Sequence, residues 1–134
     1  MDSYCGDDDL RRIRPNILDL GVDSWYDQRK EAFETINRVI SGRWYSRAAK
    51  IKGVDPLTSP FDPEKVKADF LKKIACFKSL EYAYMFLMKD SPQEDGFERN
   101  MKTFRNRYNE ELEIILGLGV DYDWEGDGEI GPED

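Results

Sequence analysis

Histidine is absent from the 134-residue chain. That removes the side chain best suited to proton transfer near neutral pH and the commonest protein ligand for zinc. It also removes every Ser–His or Cys–His nucleophile. Cysteine is nearly as scarce: Cys5 and Cys76 are the only two, and nothing about them suggests the cystine framework of a small secreted domain. Cys5 stands in a polar terminus. Cys76 stands in an apolar run, where a small buried thiol is the ordinary role. Their spacing leaves a disulfide between them open. Long apolar runs are missing too. Stretches such as Tyr82–Met88 are far too short to span a bilayer, and the acidic opening Met1–Asp9 has no apolar signal core. A soluble, intracellularly made chain is the expectation. No glycine-rich phosphate loop follows a strand pattern. Carboxylates abound, but most fall on polar helix faces or in the tail, where a solvated charge is the ordinary state. A non-enzyme is therefore expected.

Base is also missing from the C-terminal stretch. From Asp121 onward there are seven acids and no Lys or Arg, which accounts for all but one of the eight net negative charges. The body is near neutral and lacks the overall basic excess of general nucleic-acid binders. Local basic clusters remain at Arg11-Arg12-Ile13-Arg14, from Arg43 to Lys52, and from Lys102 to Arg107. They are either solvated helix faces or a match to an acidic surface, including another copy's tail.

Apolar residues at 40% and a length of one domain support a modest core. The pattern predicts an all-α protein: three long amphipathic helices in a bundle, with an N-terminal arm (1–21), a helical body (22–120) and an acidic tail (121–134). Within the arm, Asp7-Asp8-Asp9-Leu10 can open a short helix that Pro15 stops. Asp23-Ser24 then precedes a helix carrying Trp25, Phe33, Ile36, Val39 and Ile40, with Ser41-Gly42 as its expected end. From Arg47 to about Lys65 the turn signals Lys52-Gly53, Asp55-Pro56, Ser59-Pro60 and Asp62-Pro63 predict a loop. A short extended pair could form around Lys50–Val54 and Phe61–Val66. The second long helix is expected from Pro63 or Lys67 to Lys89, with Phe70, Ile74, Phe77, Leu80, Tyr84 and Leu87 on its stripe. Tyr82, Met85 and Phe86 widen that stripe, so this helix should be central. Ser91-Pro92-Gln93-Glu94 reads as a capping box. It opens a third helix with Phe97, Met101, Phe104, Tyr108, Leu112 and Ile115 inward, ending at Gly117-Leu118-Gly119.

Residues 123–134 fit the register of an EF-hand-type calcium loop. Oxygen side chains fall at loop positions 1, 3 and 5 (Asp123, Glu125, Asp127), and glycine at position 6 (Gly128). The carbonyl of Glu129 falls at position 7 and a carboxylate, Asp134, at position 12. A hard cation needs oxygens converging on one point, and alternate residues of a tight loop supply them. Glu125 and Asp134 depart from the usual ligand types, and Gly131-Pro132 interrupts the place where an exit helix would start. Two readings stand: weak calcium binding, or a solvated acidic tail that docks on a partner.

The aromatic set Trp25, Tyr26, Trp44 and Tyr45 brackets the first long helix. Such residues are mostly core, but Trp44-Tyr45, followed by a basic loop, could form an exposed anchor. Ile13, Ile17 and Leu18 in the arm, Leu57 in the central loop and Trp124 in the tail are the other apolar candidates for partner contacts.

The run Leu10-Arg11-Arg12-Ile13-Arg14-Pro15-Asn16-Ile17-Leu18-Asp19-Leu20-Gly21-Val22 resembles the opening of small tailed-bacteriophage head–tail connector (adaptor, neck) proteins. Phe77-Lys78-Ser79-Leu80-Glu81-Tyr82-Ala83-Tyr84 is similar to the same group. So is Arg107-Tyr108-Asn109-Glu110-Glu111-Leu112-Glu113, followed by Gly119-Val120-Asp121-Tyr122-Asp123-Trp124 and the acidic glycine loop. The resemblance touches most of the chain through short segments. It implies an α-helical subunit of a homo-oligomeric ring, twelve copies expected, between the portal protein and the tail or neck proteins. It implies no catalysis and no membrane, with termini or loops reaching neighbouring subunits. DNA passing through such a ring would meet no sequence-specific contact. The location implied is the virion neck, and the host cytoplasm before assembly. The alternative from the residues alone is a small calcium-binding interaction protein built on the degenerate C-terminal loop.

Overall fold

The computed structural model describes residues 1–91 and 95–125. It is mostly helical. Helix α1 covers Asp7–Ile13, α2 Tyr26–Ile40, α3 Ser46–Ile51, α4 Lys72–Asp90 and α5 Asp95–Leu118. Among the described residues the sheet content is one isolated antiparallel bridge, Val66 with Tyr122.

Helix α4 is the axis of the fold. It packs on α5, α2 and α1, so its apolar residues are buried nearly all round: Ile74, Ala75, Cys76, Phe77, Leu80, Ala83, Tyr84 and Leu87. The expectation of a central helix is met. Helix α5 lies along it with Met101, Phe104, Tyr108, Leu112 and Ile115 inward. Phe104 stacks on Phe77 (centroids 6.2 Å apart) and is nearly parallel to Tyr84 (6.1 Å, 4°). One charge is buried in this hairpin. Glu81 accepts from Lys78 Nζ and Arg105 Nε, both at 3.0 Å. A buried carboxylate persists only when paired in this way. Arg105, expected on the solvated face of α5, is thereby turned back toward α4. Gly119, in the left-handed region at φ +94°, closes the C-terminus of α5 through its amide to the Ile115 carbonyl at 2.8 Å. Of the capping box expected at Ser91-Pro92-Gln93-Glu94, Ser91 closes α4 through its amide to the Leu87 carbonyl at 3.0 Å, and 92–94 lie outside the described residues.

The Ser41-Gly42 stop does not operate. A π-helical turn, Ser41–Tyr45, joins α2 directly to α3. The reason is legible in the burial. Ile36, Ile40, Tyr45 and Ala49 are all buried, at steps of four, five and four. A regular α-helix would bring Trp44 onto the line of Ile36 and Ile40. The wider π turn absorbs one extra residue and brings in Tyr45 instead. The loop expected from Arg47 therefore begins only after Ile51. The pairing suggested between residues 50–54 and 61–66 does not form, since Val66 bridges to Tyr122.

The start of α4 is later than expected as well. Pro63–Lys65 forms a single 3-10 turn, capped by the Asp62 carboxylate accepting from the Glu64 amide at 3.0 Å. Asp69 sits in the left-handed region (φ 68°), a conformation Asp tolerates better than most residues and one that interrupts a helix. Phe70 thus precedes α4 rather than opening its stripe.

The largest departure concerns residues 1–21, expected as an arm. Leu10 and Ile17 are fully buried, and Ile13, Leu18 and Leu20 pack against the core. The segment is also pinned by polar contacts. Arg14 Nε donates to Asn100 Oδ1 at 3.0 Å, and its guanidinium lies 4.7 Å from the centre of the Phe104 ring. Arg29 donates to the Asp7 carboxylate and the Cys5 carbonyl, each at 3.1 Å. The buried Trp25 indole donates to the Ile17 carbonyl at 2.9 Å, and Tyr4 hydrogen-bonds Asn37. An acidic first turn and a short apolar set look like an arm when counted alone. Packed on α4 and α5, they become one side of the core.

Candidate functional site

The densest aromatic arrangement stands where three separated segments meet. The π turn supplies Trp44 and Tyr45, the central loop supplies Phe61, and the stretch after α5 supplies Tyr122 and Trp124. Tyr45 and Trp124 stack nearly parallel with centroids 5.5 Å apart. Tyr122 meets Trp124 edge-on at 4.7 Å, lies against Phe61 at 5.5 Å and reaches Trp44 at 5.9 Å. The positive φ of Gly119 turns the chain back over Trp44, whose Nε1 lies 3.6 Å from where a Cβ on that glycine would stand. In the sequence Trp44-Tyr45 and Trp124 are separate contact candidates; the fold brings them together.

Backbone contacts lock the meeting point. The Lys67 amide donates to the Asp121 carbonyl at 2.9 Å, and the Asp123 amide to the Lys65 carbonyl at 2.8 Å. Tyr45 Oη donates to the Ser59 carbonyl at 2.6 Å, while Tyr122 Oη accepts from the Asp62 amide at 2.9 Å. Burial pushes the Tyr122 phenol up to about 12, against the opposing effect of that Asp62 hydrogen bond. Both hydroxyls are structural hydrogen-bonding groups, and the Tyr122 phenol is neutral at physiological pH. The arrangement is a clasp that holds the central loop at its base.

Beyond the clasp the loop presents apolar surface. Leu57 is 90% exposed, and its amide donates to the Asp55 carboxylate at 3.0 Å, fixing the turn. Ile51 and Leu118 are 80% and 84% exposed. They line one depression together with Trp44, Arg43 and Arg47. The other expected contact residues are placed differently. Ile17 and Tyr45 are buried, and Ile13, Leu18, Trp44 and Trp124 are half-buried against the chain's own core. Of the sequence candidates, Leu57 is the one that stands fully free.

A second surface was not singled out from the sequence. Tyr82, Met85, Phe86, Met88 and Met101 line a groove of about 550 Å³ bordered by Gln28, Glu31 and Lys89. The available signal was the excess of apolar residues late in α4. Its stripe is complete without Met85 and Phe86, which are 40% and 41% exposed.

Of the expected calcium ligands, Asp123 is buried and Glu125 exposed. Asp127, Glu129 and Asp134 lie outside the described residues. Among the described residues no group of three or more acids or thiols converges to hold a metal ion, and no helix is long and apolar enough to cross a membrane. No protein-family model, curated protein or solved structure matches the chain.

Proposed function

We propose that the chain is a structural subunit of a head–tail connector ring, joining a portal protein to tail or neck proteins. The observation that carries this is the exposure of Ile51, Leu57 and Leu118 beside a locked aromatic clasp. Ile51 and Leu118 line one depression, and exposed apolar side chains gathered in one place suit cover by another protein. A neighbouring copy is the natural cover in a ring, because a head-to-tail interface joins two different faces of the same chain. The sequence segments resembling connector proteins support the same reading. Arg47 at that depression suits an acidic neighbour, Arg43 beside it being paired with Glu113 at 3.0 Å, and residues 121–134 carry seven acids and no base.

The test is assembly of the purified chain with the portal protein, followed by native mass spectrometry and electron microscopy. A ring on the portal is expected. Leu57→Asp combined with Leu118→Asp should remove the chain from that ring and leave its circular dichroism and melting temperature as in the wild type. Normal ring formation by the double variant, or failure of the wild type to bind the portal, would overturn the proposal.

A further inference from the structure

Cys5 and Cys76 are 71 positions apart in the sequence, and both are buried free thiols. The fold sets them side by side. Cys5 Sγ lies 3.6 Å from Ser79 Oγ, and Ser79 is one turn further along α4 from Cys76, on the same face. That register places Cys76 and Cys5 in the same buried cluster. The hydrogen bond from Cys76, followed by those from Ser79 and Ser3 and the charge of Arg29, outweighs burial and lowers the Cys5 thiol. Cys76 is pushed up, first by its hydrogen bond to Cys5 and then by burial. Cys5 is thus the more readily ionised of the two, and in thiol–disulfide exchange it is the thiolate that attacks.

Cys76 is fixed within α4. Cys5 belongs to the non-helical stretch before α1, where no helical hydrogen bond fixes the backbone, and forming the bond requires its sulfur to close to about 2.05 Å from that of Cys76.

We propose that Cys5 and Cys76 form a site of reversible intramolecular disulfide formation that locks the N-terminal segment onto α4. The oxidant is a small-molecule disulfide such as oxidised glutathione. The Cys5 thiolate attacks one of its sulfurs, forming a mixed disulfide and releasing one glutathione thiolate. The Cys76 thiol then gives up its proton and displaces the second glutathione. The two protein thiols lose two electrons and two protons, and one disulfide is reduced to two thiols. The protein disulfide would join the segment bearing Leu10 and Ile17 covalently to the central helix. It would convert a contact held by packing into one that survives local opening. This chemistry is independent of any assembly role.

The experiment treats the full chain in native buffer with oxidised glutathione. Non-reducing mass spectrometry and peptide mapping follow, beside Cys5→Ser and Cys76→Ser controls. The expected result is the loss of two hydrogen atoms and a peptide pair joining Cys5 to Cys76. The melting temperature should rise by about 10 °C and return after dithiothreitol, since the bond closes a long loop of the unfolded chain. Unmodified thiols, glutathione adducts alone, intermolecular dimers, or a cross-link that forms only in denaturant would each overturn the proposal.

Discussion

Leu10→Ala distinguishes a packed N-terminal segment from a free one. Leu10 is fully buried. Truncation to alanine removes three side-chain carbons, worth about 0.8 kcal/mol each in lost burial, or roughly 2.4 kcal/mol. The surrounding groups cannot close the space fully, because α1 is tied at both ends. Gly6 hydrogen-bonds Asp9 at 2.8 Å, and Arg14 reaches Asn100 and Phe104. The cavity term therefore adds to the transfer term, and the total falls within about 2–5 kcal/mol. Urea unfolding followed by circular dichroism and tryptophan fluorescence measures it. Trp25 helps as a reporter because its indole is bonded to the Ile17 carbonyl within this segment. The control is Leu57→Ala. At 90% exposure it should move stability by no more than about 0.5 kcal/mol. A Leu10→Ala cost as small as the Leu57→Ala cost would refute the packing of residues 1–21. Deletion of residues 1–20 would then leave the helical body intact. With Leu10 and Ile17 in the core, that deletion should instead unfold it.

Three further outcomes are expected. Phe104→Ala should cost about 3–5 kcal/mol in the same assay, through lost burial and lost stacking on Phe77 and Tyr84; a value below about 1 kcal/mol would contradict the α4–α5 packing. Burial raises the Asp7 carboxyl, but hydrogen bonds from Ser24 and the Trp25 amide and the nearby Arg29 charge prevail and hold it below its ordinary value. Its contribution is therefore present above the ordinary carboxylate pKa and lost as pH falls through the lowered one, so Asp7→Asn should flatten the acid side of the stability–pH curve; an unchanged acid limb would remove Asp7 from that role. Trp124, stacked on Tyr45, reports on the acidic loop: the calcium reading predicts a saturable emission change with a dissociation constant on the order of 10⁻⁴–10⁻³ M, absent in the Asp123→Asn, Asp127→Asn double variant, whereas identical responses would leave a docking tail.

Local pattern was sufficient for some elements. The stripes on α4 and α5 repeat at steps of three and four over many residues, and the end of α5 carries its own glycine signal. Phe77, Leu80, Phe104, Tyr108 and Leu112 are buried as that pattern requires. At the candidate site Leu57 was legible because a lone leucine among turn residues has nothing nearby in sequence to cover it. Trp44, Tyr45 and Trp124 were visible as unusual residues but not as one cluster.

What the sequence by itself determined was the helical class and the inward faces of its two longest helices, because those rest on contacts between residues three and four apart. Tertiary structure decided whatever depended on distant partners. The π turn at Ser41–Tyr45 exists because Tyr45, not Trp44, must face inward and meet Phe61, Tyr122 and Trp124. Residues 1–21 became core because α4 offered a face that α2 and α5 left uncovered. Cys5 met Ser79, one turn from Cys76, and Arg105 met Glu81, only once those surfaces closed. Helical periodicity records which side of an element is apolar. Which neighbour covers that side is set by packing across the whole chain, and no local spacing encodes it.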